Sequence, residues 1–306
     1  MSTQYFRFSG AQGLEGRRCA LLEKLLARAD GPVETTDWRA DAFRVLAPQP
    51  AAMPPVAAAA FCADGLACGA AWVCVATPLH YRAEASNVRL PLEGVLCLDS
   101  AAAEVLALDF NRLWKNSGVG LVAGRSGRLY GVFDHAPNVA AHDPEDVRGR
   151  HIEEFLPSGP DAGRLRLLMS EMEMWLFEHP VNRERMAQGG EVINGLWLWG
   201  GGEPLGSLPV VQGWVAGDDL FFGAIGARCE SDSAREGSGV TVVQQDPGSD
   251  DWLRAGLPRL KAAAAQLRSG RISRLELSAG ARCFSATTRG MRAFWRRRRP
   301  WWESFA

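Results

Sequence analysis

The sequence predicts an α/β fold: a mixed sheet covered by helices, with a C-terminal β-hairpin and a terminal helix. Three observations carry this. Strand-like runs rich in Val, Trp and Leu alternate along the whole chain with segments of helical period. Leu196-Trp197-Leu198-Trp199 is apolar at every position, as in a strand covered on both faces. Residues 272–277 and 283–286 flank 278–281 as the arms of a hairpin flank its turn.

Taken in order, residues 19–29 (CALLEKLLARA) place Leu21, Leu22, Leu25 and Leu26 on one helical face, and Gly31-Pro32 ends that helix. Residues 47–55 hold four prolines in nine positions and predict a connector. The stretch 56–77 is long enough to cross a bilayer. It is built of Ala, Gly and Cys around Asp64, however, and so predicts a small-residue element followed by a buried strand from Trp72. A strand is expected at 94–98. Asp99-Ser100 then caps a helix over 101–115 whose apolar side is Val105, Leu108, Leu113 and Trp114. Residues 118–122 and 129–133 predict two strands joined by a turn at 124–127.

The Pro- and Asp-rich stretch 136–160 predicts a loop with one helical turn near 152–155. From Asp161, residues Leu165, Leu168, Met169, Met172, Trp175 and Leu176 share one face of a helix that Pro180 stops. A short helix follows over 181–188, then the strand 196–199 and three glycines. Residues 210–225 predict two short strands around Gly217-Asp218, and 241–243 a further strand. Residues 252–267 predict a helix, and 288–299 the terminal helix. Three regions are expected: 1–97, 98–204 and 205–306.

The chain has 306 residues and 33.2 kDa, enough for one large or two modest domains. Its 47% apolar and 23% charged content excludes a disordered chain, a collagen-like fibre and a long coiled coil. With Lys+Arg 34 against Asp+Glu 35, no global field drives it onto nucleic acid or an anionic membrane. The seven cysteines form no CxxC pair, and residues 1–10 lack the apolar core of a signal peptide. Reduced thiols and a cytoplasmic location are expected, with no membrane partner.

Between residues 143 and 204 stand Leu156-Pro157-x-Gly159, His179-Pro180-Val181-Asn182-x-x-Arg185, Gly189, and Asn194-x-x-Trp197-Leu198-Trp199-Gly200-x-Gly202. In order and spacing this block resembles the archaeal type of cofactor-independent phosphoglycerate mutase, with Gly201 where those enzymes usually carry Gln. Over its length, and in the aromatic, arginine-rich end Phe294-Trp-Arg-Arg-Arg-Arg-Pro300, the chain is similar to the bacterial regulatory proteins of RpfE type. The mutase resemblance implies two metal ions held by Asp and His from both sides of the block, and a Ser or Thr nucleophile. The histidines here are His80, His135, His142, His151 and His179, and none lies in the 127 residues that follow. The nucleophile motif is not recognisable, and Asp64-Gly65 is only a weak counterpart of a metal-binding strand end. No metal or other cofactor is expected.

Cys62, Cys68 and Cys74, six residues apart, match no zinc spacing and predict buried thiols. Asn182, Arg183 and Arg185 near a helix start, with Gly201 and Gly202 as a backbone cradle, form the candidate anion site. His179 and Asn182 can instead cap helix ends while the arginines pair with Glu178 and Glu184. Residues 271–306 hold nine Arg and two acids. Arg289, Arg292, Arg296 and Arg299 share a face of the expected terminal helix and are the candidate partner site. These readings together predict a non-catalytic regulatory protein of mutase-like ancestry that binds a phosphorylated metabolite or a protein partner. The alternatives are a phosphomutase or phosphatase-like enzyme on phosphorylated small molecules and, more weakly, a nucleic-acid-binding protein using the C-terminal arginines.

Overall fold

The computed structural model describes residues 2–9, 16–47, 52–226, 237–244, 256–292 and 296–305. The chain opens with strand β1 (Thr3–Ser9), helix α1 (Ala20–Arg28), β2 (Asp30–Glu34) and α2 (Trp38–Leu46). Next come α3 (Val56–Ala63), β3 (Trp72–Leu79), β4 (Arg82–Ala83), β5 (Val88–Arg89), α4 (Ser100–Leu113), β6 (Val119–Ala123) and β7 (Leu129–Phe133). They are followed by α5 (Pro144–Val147), α6 (Ala162–Phe177), α7 (Pro180–Ala187) and β8 (Gly195–Gly202). The last elements are β9 (Trp214–Ala216), α8 (Leu220–Ile225), β10 (Gly239–Gln244), α9 (Leu257–Ser269), β11 (Arg274–Ala279), β12 (Arg282–Thr287) and α10 (Trp301–Phe305).

These elements form two compact units, Met1–Met53 with Pro209–Ala306, and Pro54–Leu208. The division differs from the three regions expected from sequence because β1 takes its neighbours from the far end of the chain. It runs parallel to β10, with Tyr5 opposite Val240, and parallel to β11, with Tyr5 opposite Glu276. The resulting six-stranded sheet has the order β2-β12-β11-β1-β10-β9, with β11 and β12 as the antiparallel hairpin expected.

Successive residues of β1 point to opposite faces. Phe6 and Phe8 join Leu22, Leu25, Leu260 and Leu267 in one core beneath α1 and α9. On the other face Arg7 lies over Trp38 of α2, and Phe43 meets Phe221 of α8 edge-on at 5.8 Å. Both faces of this sheet are therefore covered by helices.

The second unit holds an antiparallel sheet of order β6-β7-β3-β8 and the small ribbon β4-β5. Residues Leu196 to Trp199 of β8 are all buried, so both of its faces are covered, as their unbroken apolar run predicts. The stretch 56–77 is the short helix α3, which packs on β3 and β8, and most of β3. Among the described residues no helix is long and apolar enough to cross a membrane.

Four local expectations are corrected. Residues 94–98 form a single bridge, Leu79 to Val95, because the chain touches the end of β3 only at this point. Residues 220–225 are helix α8 rather than a second strand, since Asp219 accepts from the Phe222 amide and caps a helix there. The side of α4 that faces the core is Ala103, Leu106, Ala107 and Phe110. Its two alanines allow close approach, whereas Val105, Leu108 and Leu113 are exposed.

The terminal helix over 288–299 is not formed. A 3₁₀ turn at Gly290–Arg292 is followed after an undescribed stretch by non-helical residues 296–300, and then by α10. Pro300 disfavours helix at Arg299. The Arg28 guanidinium donates to the Met291 carbonyl and Arg296 to that of Ala29, which ties this segment to the end of α1. Of the helix expected over 252–267, residues 252–255 lie outside the described residues, as do Phe294 and Trp295.

The corrected face of α4 separates two leucines two residues apart. Leu106→Ala should destabilise the protein by about 2–5 kcal/mol in a denaturant melt, and Leu108→Ala by no more than about 0.5 kcal/mol. Equal losses would return the helix to the register expected from sequence.

Candidate functional site

The block between residues 179 and 202 folds around its own polar side chains. His179 precedes α7 with its ring buried, and its Nδ1 accepts from the Val181 amide at 3.2 Å. Asn182 is 4% exposed; its Nδ2 donates to Leu176 O at 2.8 Å and Ile193 O at 2.7 Å, and its Oδ1 accepts from the Ile193 amide at 2.7 Å. Asn194 makes the same kind of two-way bond with the backbone of Tyr81. Trp197 Nε1 donates to His142 O and Trp199 Nε1 to Thr77 Oγ1. Each polar group named here closes a backbone or side-chain gap within the unit.

The residues of the expected anion site have separate surroundings. Asn182 is turned inward. Arg185 Nε donates to Glu191 O at 2.8 Å and its Nη1 lies 3.4 Å from Cys97 O. Arg183 is exposed on α7. Gly201 and Gly202 continue β8 instead of forming a cradle. A side chain at Gly201 would run into the Trp72 ring and one at Gly202 into Pro55, so close apolar packing is what requires glycine. At the C-terminus Arg289, Arg292, Arg296 and Arg299 are all exposed, but with no continuous helix they share no helical face.

Because Nδ1 of His179 accepts a bond, the neutral ring carries its proton on Nε2, which stands 3.5 Å from Asp109 Oδ2 without a hydrogen bond. Burial holds the His179 pKa below its ordinary value, opposed by Asp109. The pair borders a groove of about 540 Å³ with Arg112, Met174 and Trp175.

The two-metal centre implied by the resemblance does not fit the described residues, among which no three His, Cys, Asp or Glu side chains converge. His80 bonds Val192 O and faces Glu191, while His151 bonds Glu84. Asp64 accepts from Ser126 and Tyr130 and lies 3.6 Å from Arg128. It is thus held by hydroxyls and a cation rather than by further carboxylates. Cys74 is buried, as expected, but Cys68 is exposed.

Sequence reasoning missed a second concavity. A cleft of about 840 Å³ lies against the α2 side of the six-stranded sheet, towards the amino ends of its parallel strands. Thr3, Arg274, Glu276, Cys283 and Ser285 line it from the strands, and Asp41, Arg44 and Val45 from α2. Arg44 is paired with Asp41 at 2.6 Å. Glu276 stands 3.6 Å from Arg274 Nη1, with Ser285 opposite it on β12. Desolvation raises the Glu276 pKa, partly offset by Arg274, and burial pushes the Cys283 thiol up to about 12. Cys283 is therefore a protonated, unreactive thiol at neutral pH. The signal present in the sequence is the alternation Arg274-x-Glu276-x-Ser278, polar residues on one face of a strand whose other face is Leu275 and Leu277.

No protein-family model matches the chain. A stretch of 66 residues is 44% identical to the 2,3-bisphosphoglycerate-independent phosphoglycerate mutase of Methanothrix thermoacetophila, covering 22% of this chain and 17% of that protein. The corresponding mutase of Methanosarcina acetivorans is 34% identical over 129 residues, 40% of this chain and 30% of its own length. This chain thus spans less than a third of each of these relatives. A cofactor-independent phosphoglycerate mutase from Thermoplasma acidophilum superposes over 94% of this chain and 89% of its own, at 12% identity and a TM-score of 0.38. The sequence relationship to the cofactor-independent phosphoglycerate mutases is real and partial.

A carboxyl group whose pKa is raised on folding stabilises the fold while protonated, and loses that contribution as pH rises through the folded-state value. Glu276→Gln should therefore raise the melting temperature at pH 7. The gain should vanish below the ordinary glutamate pKa of about 4.3, where both side chains are neutral. A variant that melts lower than the wild type at pH 7 would mean that the carboxylate is well compensated in the cleft.

Proposed function

We propose that this protein is a non-catalytic relative of the cofactor-independent phosphoglycerate mutases that acts by binding, as a regulatory protein of the RpfE type, and not by turning over a substrate. One observation carries the reading. The polar residues that make the chain mutase-like, His179, Asn182, Arg185 and Asn194, bond the backbone of their own unit. What is shared is a way of holding two helices and a strand together, which a protein keeps whether or not it catalyses. The absence of any histidine after His179 supports the same reading. The ligand class it favours is a small phosphorylated metabolite or a partner protein, met in the cytoplasm.

The competing reading, an enzyme on phosphorylated small molecules, is favoured by the 44% identity of the shared stretch to a phosphoglycerate mutase. An assay separates the two. Purified protein supplied with manganese, zinc or magnesium should leave 3-phosphoglycerate unconverted. Steady formation of 2-phosphoglycerate, lost on chelation, would establish the enzyme. The structural role of the block has its own check: Asn182→Ala removes the partner of the Ile193 amide and of the Ile193 carbonyl, while the Leu176 carbonyl keeps the His179 amide. Each buried unsatisfied group costs about 1–3 kcal/mol, so a clear loss of stability is expected in a denaturant melt; a variant as stable as the wild type would free Asn182 for another role.

A further inference from the structure

The cleft of the six-stranded sheet presents opposite charges at different depths. The Glu276 side chain is 20% exposed, and Arg274 Nη1, at 3.6 Å, is beyond hydrogen-bond reach. Ser285 across the strand pair and Cys283 stand beside Glu276 on the cleft lining, and Asp41 and Arg44 of α2 act on it from across the cleft. The neighbouring Tyr5 hydroxyl, across from Glu276 on β1, is buried without a hydrogen-bond partner. The arginine side chains are the more exposed, Arg274 at 54% and Arg44 at 71%. A half-buried carboxylate is stabilised by a donor cation brought to it, and exposed arginines bind a planar or tetrahedral anion through paired N–H groups. Asp41 is hydrogen-bonded by Arg44 and by the Thr35 hydroxyl, whereas Glu276 has the 3.6 Å ion pair with Arg274 and no hydrogen bond among the described residues, which makes Glu276 the less engaged acceptor.

We propose that this cleft binds a small zwitterion, its ammonium group on Glu276 and its phosphate or carboxylate on Arg274 and Arg44. The inference goes beyond the non-catalytic reading and stands whether or not the chain turns over a substrate. A ligand carrying both charges a few bonds apart satisfies Glu276 and the arginines together. Ammonium alone or phosphate alone meets one end only and gains little over water.

Calorimetric titration and thermal shift on the full chain test this with four probes: O-phosphoethanolamine, β-alanine, ethylammonium chloride and inorganic phosphate. One or both zwitterions should bind and raise the melting temperature, the responder identifying the anion as phosphate or carboxylate. Each half-molecule should bind at least tenfold more weakly than the responding zwitterion. Glu276→Gln and Arg274→Gln should each weaken the response at least tenfold while the proteins remain folded. The proposal is overturned if neither zwitterion binds the folded protein. It is equally overturned if inorganic phosphate matches the zwitterion, or if Glu276→Gln retains the full response.

Discussion

Asn182 stands between two helices with each end of its carboxamide held by main chain. Its nitrogen reaches the last turn of α6 and the residue leading into β8, and its oxygen takes the amide of that same residue. A buried peptide group without a partner costs more than a formed hydrogen bond gains, so such a clamp determines where the chain can turn. With α6 and residue 193 fixed to each other, Asn194 bonds both sides of the Tyr81 peptide beyond the end of β3, and β8 falls into register beside β3. Close packing of Gly201 on Trp72 and of Gly202 on Pro55 then follows from that register. The same geometric need arises in any protein that folds this segment this way, which accounts for a high local identity whether or not a reaction is shared.

A different constraint shapes the first unit. Its central strand is the first in the chain, and its neighbours lie more than 200 residues further on. The halves of this unit are chemically incomplete alone, since β1 leaves both edges unpaired until β10 and β11 arrive. The two units also differ in charge. Residues 54–208 hold 12 Lys and Arg against 19 Asp and Glu, while the remaining residues hold 22 against 16. A near-neutral total therefore conceals two oppositely charged bodies, and charge-dependent binding is a property of each unit rather than of the chain.

The sequence was legible where periodicity and turn chemistry act locally. The leucine face of α1, the Asp99 cap, the buried run of β8 and the β11–β12 hairpin all express short-range rules. β1 was missed because Thr3–Ser9 mixes polar and aromatic residues, and only pairing with distant strands makes its alternation meaningful. The α4 face was misread because large apolar residues outweigh alanines in a count, although alanines allow the closer approach to β6. The terminal helix was over-read because a helical spacing of arginines says nothing about Pro300 or about the bonds that tie this segment to the end of α1, Arg296 to the Ala29 carbonyl and Arg28 to the Met291 carbonyl. Of the candidate anion residues, Asn182, Arg183 and Arg185 lie on one short helix. Which way each side chain turns, inward for Asn182 and along its own backbone for Arg185, is decided by unpaired main-chain groups that sequence does not display. The cleft beside Glu276 escaped notice for a related reason, since its walls come from both ends of the chain.

The central claim, that the mutase-like block is scaffold, is tested most directly by amide hydrogen exchange at Ile193. This amide donates to Asn182 Oδ1 at 2.7 Å. If Asn182 is a permanent part of the framework, the Ile193 amide exchanges as slowly as the interior amides of β8, and 3-phosphoglycerate leaves that rate unchanged. Rapid exchange in the free protein that slows when 3-phosphoglycerate is added would contradict the account, because it would show a carboxamide that waits for a ligand.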